Sequence, residues 1–129
     1  MPRVTAIYAA LLALLFLALA FLVIRQRYRT QVSLGTGNDP GLERAARVHA
    51  NFAEYAPFAL LLVLLAELLG AAWWWLHPLG LALVAGRALH AYGVSQTPEN
   101  LRFRQIGMML TFTVIAAGAV TVGWLGMVR

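Results

Sequence analysis

Long apolar runs separated by short polar segments dominate the chain. From Thr5 to Ile24 no charge occurs over 20 positions, and as a helix that run reaches about 30 Å, the thickness of a bilayer's hydrocarbon core. A polar loop is expected over 25–39, closing on a Gly-Thr-Gly-Asn-Asp cluster at 35–39. Asp39-Pro40 then reads as an N-cap followed by a proline in the first helical position. The pattern predicts four helices, at about 5–24, 40–70, 78–95 and 101–127, with His77-Pro78 in a turn and 96–100 as a loop. Trp73, Trp74 and Trp75 mark one membrane interface, where indole rings settle among headgroups.

These runs make the fold class all-α: a single transmembrane four-helix bundle over residues 1–129. Composition agrees, with 61% hydrophobic and 12% charged residues, against about a quarter charged in soluble domains. All ten basic residues are Arg and the net charge is +5. Because those charges separate apolar runs, they read as topology signals and an internal site, not as a nucleic-acid surface. Cysteine is absent, which excludes disulfides and thiolate metal sites, and no metal-ligand spacing occurs.

The first run is longer than the core of a signal peptide, and its positive flank, Arg25, Arg27 and Arg29, follows it. It is therefore expected to remain as an anchor. If the four spans alternate, those three residues share one face with Arg44, Arg47, Arg102 and Arg104, while Arg3 and Arg129 lie at the other. The positive-inside rule then places both termini outside and the 25–39 and 96–100 loops in the cytoplasm. Small residues crowd the fourth helix, and Ala119 with Gly123 forms a small-xxx-small pair. One chain of this size buries little surface, so self-association is expected.

The second helix carries the densest chemistry. Arg44, Arg47, Asn51, Glu54 and Tyr55 fall within an arc of roughly 100°. Glu54 lies about 24 Å from the Gly70 end, a depth at which a carboxylate needs partners, and Arg47 and Asn51 are the expected ones. Arg87 and His90 share a face of the third helix at a similar depth. Arg102 and Arg104 open the fourth helix and project about 160° apart, so only one can enter a given cleft. His49 points away from Asn51, toward an interhelical hydrogen bond or the site of a neighbouring chain, and Glu67 is assigned no chemistry. Several guanidiniums beside one carboxylate suit a small molecule with several carboxylates and an amine. An Arg beside a thiol would also favour its thiolate. Glutathione combines these groups.

The run Glu43-Arg44-x-x-Arg47-x-His49-x-Asn51-x-x-Glu54-Tyr55-x-Pro57 resembles the signature of the MAPEG family, the membrane-associated proteins of eicosanoid and glutathione metabolism. The likeness extends over essentially the whole chain, through Arg87-x-x-His90 to the arginines opening the fourth helix, and is nearest to small bacterial members. It implies a homotrimer of a bacterial inner membrane, with the termini on its periplasmic side, that binds glutathione as co-substrate between adjacent subunits, near the cytoplasmic side. Arg47, Asn51, Glu54, Tyr55, Arg87 and His90 would contact the tripeptide. Arg102 or Arg104 would stabilise its thiolate for attack on a lipophilic electrophile, in a transferase or peroxidase reaction. His90 stands where some relatives have Tyr, and Val94 where several carry another Tyr. The alternatives are a non-catalytic binding or scaffold protein of the same fold, and a small proton-coupled exporter. The exporter reading needs a carboxylate in the first helix, and Thr5–Ile24 has none.

Overall fold

The computed structural model describes residues 1–128 as four helices, α1 (Arg3–Thr30), α2 (Pro40–Leu68), α3 (Trp73–Ser95) and α4 (Leu101–Val128). Arg129, expected at the face of Arg3, lies outside the described residues. Successive helices are joined by short connections and run antiparallel. The α2–α3 pair is the inner hairpin. α1 packs on both of its members and α4 on both from elsewhere, while α1 and α4 share no contact among the described residues.

Three helices, α1, α2 and α4, are long and apolar enough to cross a membrane. α3, with 23 residues, falls short on apolarity because it carries His77, Arg87 and His90. It holds the latter two inside the bundle, Arg87 1% exposed and His90 3%, while His77 is half-buried near the helix start. Apolar side chains instead cover the outside, as Ile7, Leu14 and Phe21 of α1 do, which is the arrangement a lipid solvent favours.

The expected 25–39 loop is shorter than the sequence pattern indicated. α1 continues to Thr30, and only 31–39 is irregular. Nothing from Arg25 to Thr30 breaks a helix, and the arginines there suit its C-terminal dipole. Arg27 Nη1 donates to the Val32 and Gly35 carbonyls at 3.2 and 3.0 Å. Arg29 donates to Gln26 Oε1 at 2.7 Å and pairs with Asp39 at 2.5 Å. These two arginines therefore stitch the loop together.

α2 begins as expected. The Asp39 carboxylate accepts from the Leu42 amide at 2.9 Å, with Pro40 in the first turn. That bond, assisted by Arg29, holds the Asp39 carboxyl below its ordinary value against the opposing effect of partial burial. The helix ends in a Schellman arrangement. The Ala71 amide reaches the Ala66 carbonyl at 2.9 Å and the Gly70 amide reaches Glu67 at 3.0 Å. Gly70 sits at φ +84°, a left-handed conformation that glycine adopts without strain.

α3 starts at Trp73, not at Pro78, so His77 and Pro78 are helical and the expected turn is only Leu69–Ala72. Proline is favoured at a helix start; as the sixth residue of the helix Pro78 removes one hydrogen bond and crowds the Trp74 carbonyl, so the turn before it needs support from outside. Neighbouring contacts hold this first turn: Trp75 Nε1 donates to Thr121 Oγ1 of α4 at 3.0 Å, and the Tyr8 hydroxyl meets His77 Nδ1 at 2.8 Å.

Close approach of α3 and α4 depends on glycines other than the expected Ala119–Gly123 pair. Nothing lies within 4 Å of where a Gly123 side chain would begin. A Cβ on Gly107 would instead stand 2.5 Å from the Gly86 carbonyl oxygen, and one on Gly93 would stand 2.6 Å from the Arg104 amide. These contacts set the register that brings the end of α3 beside the start of α4. Glu67 also has a defined task. Its carboxylate accepts from the Val4 and Thr5 amides at 2.9 and 2.7 Å and from the Thr5 hydroxyl at 2.6 Å. It thereby caps α1 from a neighbouring helix, where unpaired N–H groups favour an anion.

Candidate functional site

A cavity of about 260 Å³ lies between the first turns of α2, the last turns of α3 and the start of α4. α2 contributes Glu43, Arg44, Arg47 and Asn51, α3 contributes His90 and Val94, and Glu99 and Arg104 close it from the α3–α4 connection and α4. Three arginines face two carboxylates in this lining. One of those carboxylates is engaged, since Glu99 Oε1 lies 2.5 Å from Arg104 Nη1. The balance is positive and favours an anionic ligand.

Arg87 sits behind the wall. It donates to Asn51 Oδ1 and, at 3.4 Å, to Thr111 Oγ1 of α4; no carboxylate pairs with it among the described residues. A guanidinium can only donate, so the Asn51 oxygen must face it. The Asn51 amide nitrogen, with two N–H groups, is then the end left for the cavity. Arg87 thus fixes Asn51 as a donor, which suits a carboxylate or carbonyl on a ligand. Among the described residues, Arg87 Nε and His90 Nδ1 are buried side-chain atoms without a hydrogen-bond partner. Buried polar atoms are rarely left so, and these two adjoin the cavity wall.

The start of α4 is held by local bonds. Asn100 Oδ1 accepts from the Phe103 amide at 3.2 Å, and the Asn100 amide reaches the Gly93 carbonyl at 2.9 Å. Arg44 Nη1 donates to Thr97 Oγ1 at 2.5 Å, linking α2 to the same connection.

Arg47, Asn51, His90 and Arg104 therefore meet in one cavity, with Arg87 attached through Asn51. Of the two arginines opening α4, Arg104 lines it, while Arg102 is exposed and outside the lining. Glu54 and Tyr55 are also outside it. Tyr55 packs edge-on against Phe112, ring centres 5.6 Å apart. Glu54 is exposed and makes no ion pair among the described residues, so the expected pairing with Arg47 and Asn51 does not form. Seven positions along a helix separate Arg47 and Glu54 by about 10 Å even on one face, and the Asn51 oxygen is committed to Arg87. His49 stacks on Phe16, ring centres 4.8 Å apart, so its role in the chain is packing between α2 and α1.

Thr111 and Thr97 were not among the residues singled out from the sequence. Thr111 follows Arg104 and Gly107 at helical spacing, and that stripe was the available signal. Thr97 sits in an irregular connection, where periodicity carries no information.

Residues 5–124 match the MAPEG family. The inner membrane protein YecN of Escherichia coli strain K12 is 39% identical over 112 residues, which cover 87% of this chain and 84% of the relative. YecN of Escherichia coli O6:H1 shows the same identity and coverage.

Proposed function

Because the chain belongs to the MAPEG family, we propose that it is a glutathione-dependent enzyme of the bacterial inner membrane, with both termini periplasmic. Its acceptors would be lipophilic electrophiles arriving from the bilayer. The observation that carries this reading is the cavity where Arg44, Arg47 and Arg104 converge with Asn51 and His90. Guanidiniums bind carboxylates bidentately, the Asn51 N–H groups supply a further donor, and Glu43 is available for the ligand's amine. Of the two candidate arginines, Arg104 is the one beside the cavity and takes the role of steadying the thiolate. A thiol that loses its proton there forms an anion stabilised by Coulomb attraction. The chain contributes electrostatics and orientation, and the sulfur of glutathione is the nucleophile.

The same reading includes a homotrimer with the tripeptide between adjacent copies. Glu54 supports it. A carboxylate exposed on α2, at the level where Tyr55 meets Phe112 of α4, would face hydrocarbon in an isolated chain. Such exposure is costly, and a neighbouring copy or a ligand amine would cover it. Val94 favours a second reading. Several relatives carry Tyr there, and here an apolar side chain lines the cavity, as a non-catalytic binding protein would tolerate.

Titration calorimetry on detergent-purified protein tests the first claim. Saturable glutathione binding is expected, weakened about tenfold or more in Arg104→Gln, the loss of one charge-assisted hydrogen bond. Absence of saturable binding refutes the reading. Binding without turnover against electrophiles and lipid hydroperoxides selects the non-catalytic alternative.

A further inference from the structure

A second cavity, about 280 Å³, lies between α1, α2 and the end of α3, and Arg44 lines it as well as the first. Its lining is graded. Gln26, Arg44, Ser95 and Thr97 are polar, whereas Leu19, Leu22 and Val48 are apolar. Along α1 the polar end, Gln26, is nearest the loop that Arg27 and Arg29 stitch together. Leu22 and Leu19 follow one and two turns deeper, a descent of about 10 Å. The cavity therefore passes from a charged rim at the membrane surface to an apolar floor inside it. The positive charge at the rim is weakly committed. Arg44 holds one neutral acceptor, the Thr97 hydroxyl, and has no carboxylate partner among the described residues.

We propose that this second cavity binds an anionic phospholipid, with its phosphate on Arg44 and Gln26 and the first carbons of its tail against Leu22 and Leu19. An inorganic anion would satisfy Arg44 but leave the apolar floor unfilled, and a zwitterionic lipid would return part of the charge complementarity. Since Arg44 belongs to both linings, lipid occupancy draws its guanidinium out of the first cavity. The membrane's anionic lipid content then sets how many cations the first cavity presents. The binding claim is independent of whether glutathione is the ligand there.

Native mass spectrometry of the full chain released from detergent tests this, with phosphatidylglycerol, phosphatidylcholine or inorganic phosphate added. Phosphatidylglycerol is expected to be retained in preference to phosphatidylcholine. Its retention should fall about tenfold in Arg44→Gln, the scale of one charged hydrogen bond. Arg44→Lys should retain most of it, and Arg25→Gln, an exposed residue at the same end, should leave it unchanged. Ala45→Leu, which fills the cavity without altering charge, should also abolish it. Equal retention of the two lipids, equal losses in Arg44→Gln and Arg25→Gln, or full retention in Ala45→Leu would each overturn the proposal. So would displacement of the lipid by millimolar inorganic phosphate.

Discussion

Gly107→Ala places a single methyl group where α3 and α4 are closest. Its carbon would stand 2.5 Å from both the Gly86 carbonyl oxygen and the His90 amide nitrogen, and 2.8 Å from the His90 Cβ. The first two are backbone atoms of a packed helix and cannot rotate away. Relief requires the helices to part by about 0.9 Å, an overpacking that costs about 1–3 kcal/mol. Alanine also returns about 1 kcal/mol through better helix propensity, so the expected net loss is about 0–2 kcal/mol. Gly123→Ala isolates the propensity effect, since its Cβ meets nothing within 4 Å. Reversible unfolding of both variants in the same mixed micelles gives the comparison. Gly123→Ala should equal or exceed the wild type and Gly107→Ala should be the less stable of the two, by the overpacking cost of about 1–3 kcal/mol, since the propensity gain is common to both. The separation also moves the His90 backbone, so on the proposed function glutathione affinity should drop in Gly107→Ala and not in Gly123→Ala. Equal stability of the two variants would refute the claim that these glycines set the α3–α4 register.

Asn51→Leu removes the oxygen that Arg87 holds and leaves a buried guanidinium short of a partner; a loss of about 2–3 kcal/mol in the same unfolding assay is expected. Arg87→Met added to it should recover most of that loss, because a matched apolar pair needs no partner. Glu67→Leu orphans the Val4 and Thr5 amides. Faster hydrogen exchange at those two positions and a loss of about 1–2 kcal/mol should follow; unchanged exchange would remove the cap. Asp39 sets a pH dependence. Its carboxyl is held low chiefly by the Leu42 amide and further by Arg29, so its stabilisation is complete above the unfolded carboxylate value of about 4. That stabilisation is lost as pH falls through the lower folded value. Protection of the Leu42 amide should decline over that acid range in the wild type, and in Asp39→Asn it should show no such dependence.

Helix number and order were legible because apolar run length is a strong signal in a membrane protein. Helix ends were less so. Charge density marks Arg25 to Thr30 as loop, yet those residues are adequate helix formers, and Arg27 and Arg29 bond forward to the loop. Pro78 looked like a helix start because proline is enriched there, while the contacts that hold the preceding turn, Tyr8 with His77 and Trp75 with Thr121, join residues 46 or more positions apart. Single-helix geometry placed Arg47 and Asn51 on one face. It could separate Arg102 from Arg104 by angle but could not say which entered the cavity. That depends on how α4 meets α3, and so on Gly86, Gly93 and Gly107. The Arg47–Glu54 pairing failed for a simpler reason: a shared face is not a shared height.

α1 supplies no residue to the first cavity. It is fastened near both ends, by Glu67 at one and by the Arg29–Asp39 pair at the other. Between these fastenings Ile7, Leu14 and Phe21 face outward and take no part in that cavity. Descendants of this protein living in stiffer, thicker or more branched hydrocarbon would thus accumulate substitutions along that flank while the first cavity's walls stayed as they are.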